Sequence, residues 1–324
     1  MLTIGPNAQP IPLSGVSHRS AAPLRFAGAT ADGDTFESKR VERAVEALKA
    51  RRPELAGNIA IPIEQWLAQF DNDADRLLAI KLLDAMAVYD VGELRRMGRE
   101  QFQWLQEQPG FDLDTTKFTD YGAGKSGGLV QYFFRQVNRL SNQSCMYFDR
   151  VPDPPEIVPG KPIDTLVVMD DFLGSGAEAN YFFTEMKKAL EESGQEYRKI
   201  YFLTLVGFDE GIKLLKEKFP EIEVRCATRP KKIFDPANTQ FTAQEKEALK
   251  EMLIRYGDRV YPPSQFGKVA TPGGYRDGQA LVSFFYNTPS NTLPIFWSDY
   301  DGWQPLFERF HSWNRETGGW AFKS

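Results

Sequence analysis

The 324-residue chain has little cysteine and little histidine: two of each, Cys145 and Cys226, His18 and His311. Both cysteines sit inside apolar runs, which predicts buried thiols in reducing surroundings rather than a disulfide framework. Two histidines near opposite ends of the chain exclude the usual zinc-ligand spacing, and no side-chain metal site is expected. Long hydrophobic runs are also missing. No stretch approaches the roughly 18 to 20 apolar residues of a bilayer span. The opening MLTIGPNAQPIPLSG lacks the cationic and apolar parts of a signal peptide. The expectation is a cytoplasmic protein without membrane contact. Positive charge is outnumbered, 39 Lys and Arg against 44 Asp and Glu, for a net charge of −5. That balance argues against a dedicated nucleic-acid surface. The run RPKK, Arg229 to Lys232, reads as solvated surface.

Apolar residues make up 42% of the chain and charged ones 26%, enough to fill a sizeable core. Residues 1–38 are rich in Pro, Gly, Ala and Ser without periodicity and are expected to be a disordered tail. Val41, Ala44, Val45 and Leu48 recur at helical spacing, as do Trp66, Phe70, Leu77, Ile80, Leu83 and Ala87. With a charged amphipathic helix over Glu93 to Glu107, ended by Pro109-Gly110, they predict a helical region over 39–110. From 111 to 324 strands and helices alternate, the mark of an α/β domain with a mostly parallel sheet flanked by helices. The strands are expected near Ser144 to Phe148, Thr165 to Met169, Lys199 to Val206, Glu223 to Cys226 and Ala280 to Tyr286. The helices are expected near Leu129 to Leu140, Ala177 to Glu192, Asp209 to Lys218 and Ala243 to Tyr256. Five prolines in Val151 to Pro162 predict an extended connector.

The centre of the chain is LVVMDDFLGSG, Leu166 to Gly176. The apolar run is expected to be a buried strand that ends at Asp170-Asp171, with Phe-Leu-Gly-Ser-Gly leading into a helix near Ala177. Open α/β sheets bind ligands at that edge, and amides at a helix start attract phosphate. Paired acids that hydrogen-bond sugar hydroxyls, beside a loop that holds the attached phosphate, describe a ribose 5-phosphate site. The same residues also read as a capping box, with Ser175 as N-cap and Glu178 reaching back to its amide.

A second glycine-rich stretch, Tyr121 to Gly128, puts Lys125, Ser126 and Gly127 ahead of another helix and reads as a second anion pocket or as a flexible turn. A phosphate loop of the NTPase kind is the competing reading. Its spacing requires glycine at 119, where Thr119 stands, and TTKFTDY looks too polar to be the strand that should lead into it. The dense aromatics of Gly274 to Phe310, Trp297, Trp303 and Phe307 among them, read as packing.

The acidic pair and the glycine-serine loop resemble the fingerprint of class I phosphoribosyltransferases, with Glu178 in place of a small hydroxylic residue. Four pieces in order, WLAQF at Trp66 to Phe70, GKSG at Gly124 to Gly127, DDFLGSG at Asp170 to Gly176, and NTPSNTLPIFW with WQPLFER at Asn287 to Arg309, resemble the PRTase-CE family of bacterial conflict systems over roughly residues 55–310. The resemblance implies a class I phosphoribosyltransferase-like α/β fold. It gives the ribose hydroxyls of phosphoribosyl pyrophosphate, or of a nucleotide, to Asp170 and Asp171, and the 5-phosphate to Gly174, Ser175 and Gly176. Lys125, Ser126 and Gly127 would hold a further phosphate, and Mg²⁺ would accompany a pyrophosphate. It also implies a component of anti-phage defence with partner proteins. Two activities stay open: transfer or cleavage at ribose C1, and a catalytically silent nucleotide-sensing or interaction module.

Overall fold

The computed structural model describes residues 36–120, 126–146, 160–194, 196–260, 270–310, 313–314 and 319–320. Residues 1–35 of the expected tail, nearly all of the proline-rich connector and Lys125 lie outside them, whereas residues 36–38, also expected in the tail, are helical. The chain runs α1 (Phe36–Arg51), α2 (Ile63–Leu67), α3 (Asp73–Asp84), β1 (Ala87–Tyr89), α4 (Val91–Gln106), β2 (Thr116–Asp120), α5 (Ser126–Asn138), β3 (Thr165–Leu173), α6 (Ala177–Ser193), β4 (Lys199–Gly207), α7 (Asp209–Lys218), β5 (Ile222–Thr228) and α8 (Ala243–Val260). Five short strands follow, β6 (Ala270–Thr271), β7 (Gly274–Tyr275), β8 (Val282–Phe284), β9 (Trp313–Asn314) and β10 (Gly319–Trp320). Side-chain caps start several of the helices. The Asp75 amide donates to Asn72 Oδ1 at 2.9 Å before α3, and the Glu93 amide to Asp90 Oδ1 at 2.8 Å before α4.

The central sheet is parallel, in the order β2-β3-β4-β5. Cys145 forms a parallel bridge to Phe118 on the far edge of β2, and the Met146 amide donates to the Phe118 carbonyl at 2.9 Å. The chain therefore leaves β2 through α5 towards one edge, then returns to β3 and proceeds through α6 and α7 towards the other. The helices divide accordingly. Val130 and Phe134 of α5 share a core with Leu94, Met97 and Leu105 of α4, whereas Phe183 and Met186 of α6 and Leu215 of α7 fill the opposite face. The winding direction reverses between β2 and β3. This is the α/β architecture expected from the sequence, a parallel sheet flanked by helices with a helical N-terminal region.

The strands differ from the expected ones in detail. β3 does not stop at Met169 but continues to Leu173, because Asp170, Phe172 and Leu173 still pair with Thr204, Val206 and Gly207 of β4. TKFTD is a strand after all, and every residue of β2 is buried. Its polar groups find partners: the Thr116 hydroxyl donates to the Asp112 carbonyl at 2.7 Å, and the Lys117 ammonium donates to the Gln143 carbonyl. One of the two arguments against an NTPase phosphate loop thus fails, and only the missing glycine at Thr119 still opposes it. Ala280 to Tyr286 contributes only β8, which pairs with β1 rather than with the central sheet.

A second core lies away from the sheet. Leu48 of α1, Trp66 and Phe70 of the α2 segment and Leu83 of α3 meet Met252 and Tyr256 of α8 and Phe296, Trp303 and Phe307 of the C-terminal segment. The aromatics pack, as expected. Trp66 stacks on Phe296 at 5.1 Å, and its indole N–H donates to the Ile295 carbonyl at 2.9 Å. The first three helices therefore share a core with the end of the chain, and α4, sequence-adjacent to them, belongs to the sheet.

Candidate functional site

The reversal between β2 and β3 opens the crevice in which open α/β sheets bind ligands. The N-terminus of α5 enters it from one face and that of α6 from the other. Asp170 and Asp171 lie on β3 at this point, only 7% and 8% exposed. Strand alternation slips across the pair: Val167 and Met169 join the core under α5 and Leu166 and Val168 the core under α6, but Phe172 joins the former and Leu173 the latter.

The first turn of α5 presses directly onto these acids. A Cβ added to Gly127 would stand 2.9 Å from the Met169 carbonyl oxygen and 3.4 Å from Asp170 Oδ1, so only glycine lets the helix come this close. The Ser126 hydroxyl hydrogen-bonds Asp171, and so does Asp170. Tyr286 donates its hydroxyl to Asp171 Oδ2 at 3.0 Å. Burial raises Asp171 above the ordinary carboxyl range despite these bonds, because desolvation penalises its charge more than the donors relieve it. Asp120, at the end of β2, is also buried and raised by burial. Tyr286 is raised, first by burial and then by the facing carboxylate.

Past Leu173 the chain turns through Gly174, Ser175 and Gly176 into α6. Gly176 is the N-cap, with φ of 78°, a backbone setting that favours glycine. The capping box does not form, since that motif needs Ser175 as the N-cap. Ser175 Oγ accepts only a long bond, 3.5 Å, from the Ala177 amide. The loop is pinned from two sides. A Cβ on Gly174 would meet the Asn291 side-chain nitrogen at 2.8 Å, and one on Gly211 of α7 would meet the Gly174 carbonyl oxygen at 2.4 Å. Asn291 is itself held, donating through Nδ2 to the Tyr275 carbonyl at 3.1 Å. The loop, the first turn of α6 with Glu178, and Tyr275, Ser290 and Asn291 line an open cleft.

The structure thus brings Asp170, Asp171, Ser126 and Gly127 together, and places Gly174, Ser175 and Gly176 at the end of the same strand beside a cleft that the acids do not line. Asp120, Tyr275, Tyr286 and Asn291 were not singled out from the sequence. Among the described residues no three His, Cys, Asp or Glu side chains group to hold a metal ion. A Mg²⁺ ion at this crevice would take its ligands chiefly from a pyrophosphate and water, as that ion commonly does. The RPKK run is engaged in ion pairs: Arg229 and Lys231 with Asp209, Lys232 with Glu210. Among the described residues no helix is long and apolar enough to cross a membrane.

The family model PRTase-CE matches residues 63–309. No curated protein matches the chain. Among solved structures it is similar to a hypothetical protein from Neisseria gonorrhoeae with bound ppGpp, at 12% identity, 51% coverage of this chain and 97% of that one, and a TM-score of 0.31. It is also similar to xanthine-guanine-hypoxanthine phosphoribosyltransferase from Helicobacter pylori, at 14% identity, 38% and 77% coverage and a TM-score of 0.27. Orotate phosphoribosyltransferase from Aeropyrum pernix matches at 19% identity, 48% and 74% coverage and a TM-score of 0.27.

Proposed function

The chain belongs to the PRTase-CE family, and on that premise we propose that it binds phosphoribosyl pyrophosphate or a nucleotide in the crevice between β2 and β3. Asp170 and Asp171 take the ribose hydroxyls. The amides of Gly174, Ser175 and Gly176 and of the first turn of α6 take the 5-phosphate, since a helix start leaves those donors without intrahelical partners. Lys125, Ser126 and Gly127 take a second phosphate, which Mg²⁺ accompanies. The observation that carries this reading is the placement of the acid pair at the reversal of winding, with the first turn of α5 pressed onto it and the loop into α6 at the end of the same strand.

A ligand so held has its C1 carbon beside two carboxyl groups. Bond breaking at C1 passes through an oxocarbenium-like state, which needs nearby negative charge, a stabilised leaving group and exclusion of water, and no nucleophile-base pair. Transfer or cleavage at C1 is the activity that follows. The protein acts as a component of a bacterial conflict system, alongside partner proteins. Titration calorimetry with phosphoribosyl pyrophosphate and Mg²⁺ tests the binding: the double variant Asp170→Asn, Asp171→Asn loses it, and unchanged affinity would discard the reading.

A second reading has support in Glu178, whose carboxylate lines the same cleft as the phosphate loop. It is a catalytically silent module that senses a phosphorylated nucleotide and signals to a partner. Product formed from phosphoribosyl pyrophosphate or NAD by purified protein would exclude it.

A further inference from the structure

Asp171 is fully engaged as the chain stands. One donor to it is Ser126, from α5; another is Tyr286, from a segment 115 residues away in sequence. Tyr286 sits at the tip of a two-residue turn. Phe284 and Asn287 flank it and bond each other in both directions, the Phe284 amide to the Asn287 carbonyl at 3.0 Å and the Asn287 amide to the Phe284 carbonyl at 3.1 Å. Phe285, the other tip residue, is 38% exposed and meets Phe133 of α5 edge to face at 6.0 Å. The tip is held by the Phe285 amide donating to the Tyr89 carbonyl at 3.0 Å, by the stack of Tyr286 on Phe284 at 5.4 Å, and by the hydroxyl bond to Asp171. The hydroxyls of Tyr286 and Ser126 offer the acid what a vicinal diol offers: two O–H donors.

We infer that Tyr286 is a latch occupying the sugar seat of the acid pair, and that a ribose diol binds by displacing its hydroxyl. The inference rests on the proposed ribose site and deepens it: the ligand-free protein is self-occluded, because Asp171 is covered until the Phe285–Tyr286 tip withdraws.

Titration calorimetry with phosphoribosyl pyrophosphate and Mg²⁺ on the full chain, its Tyr286→Phe variant and its Asp171→Asn variant tests the latch. Phenylalanine keeps the ring and the stack on Phe284, and a thermal melt confirms that the variant folds. Losing one competing hydroxyl bond is expected to tighten binding roughly fivefold, while Asp171→Asn loses it. The Phe284–Asn287 amides of the native chain are expected to exchange hydrogen faster when phosphoribosyl pyrophosphate is bound. Equal or weaker binding by Tyr286→Phe, with Asp171→Asn still inactive, overturns the latch and leaves the ribose site standing. Unchanged binding by Asp171→Asn, or no binding by any of the three proteins, overturns both.

Discussion

Gly127 and Asp170 touch across the crevice: the first turn of α5 lies so close to β3 that a methyl group on Gly127 would sit 3.4 Å from Asp170 Oδ1 and 2.9 Å from the neighbouring Met169 carbonyl oxygen. The backbone contact at 2.9 Å decides the outcome of a substitution. Gly127→Ala must push the helix start off the strand, at a cost of about 1–3 kcal/mol typical of overpacking. Chemical denaturation measures the loss, and the variant is expected to bind phosphoribosyl pyrophosphate at least tenfold more weakly, because Ser126 moves with Gly127.

Asp171 has a raised pKa from burial. A carboxyl whose folded pKa lies above its unfolded value holds its proton more firmly when folded, so folding is favoured at low pH and loses stability as pH rises from the unfolded to the folded pKa. Asn carries no such charge and can still accept from Tyr286 and Ser126. Asp171→Asn is therefore expected to raise Tm at pH 7 to 8 and to have little effect near pH 4. Thermal melts across that pH range supply the test, and a Tm gain that is constant with pH contradicts the origin in ionisation.

Gly174 meets the Asn291 side chain, which is anchored to the Tyr275 carbonyl. Gly174→Ala should destabilise by about 1–2 kcal/mol through this collision. Asn291→Ala removes the obstacle, so the double variant is expected to lose less than the sum of the two single losses. Additive losses in a denaturation cycle would show that the loop yields elsewhere.

Glu178 stands in the first turn of α6 and lines the cleft beside the phosphate loop. At about 6 Å and an effective dielectric near 20, two unit charges repel by about 3 kcal/mol. Glu178→Thr is expected to tighten phosphate-bearing ligands at least tenfold at low salt, with the gain shrinking as salt is added. Calorimetry at two ionic strengths reads both effects, and an unchanged affinity would place the bound phosphate elsewhere.

Trp66 joins the N-terminal helices to the C-terminal segment through its stack on Phe296 and its bond to the Ile295 carbonyl. Trp66→Ala is expected to cost about 3–5 kcal/mol. Limited proteolysis of this variant should open both ends of the chain together, since they share one core.

Local pattern carried much of this protein. Leu166 to Met169 announces a buried parallel strand because four consecutive apolar residues tolerate cover on both faces, and the glycines that follow mark the turn into α6. The helices over Glu93 to Glu107, Ala177 to Glu192, Asp209 to Lys218 and Ala243 to Tyr256 were legible from their 3.6-residue periodicity, and the four ordered motifs pointed to the family. β2 was hidden because Thr116, Lys117, Thr119 and Asp120 are polar, and the burial of Lys117 depends on the Gln143 carbonyl, supplied from beyond α5. The end of β3 was misplaced for a related reason: Phe172 and Leu173 continue the ladder only because Val206 and Gly207 of β4 extend alongside them.

Composition and spacing alone determined the α/β class, the acid pair and the two glycine-rich helix starts, since each depends on residues close together in sequence. Tertiary structure decided which of these meet. The reversal between β2 and β3 follows from the side of the sheet each crossover takes, and the bond from Tyr286 to Asp171 spans 115 residues. No local propensity encodes such a contact; it exists because two distant segments were brought to one crevice by the burial of their apolar neighbours.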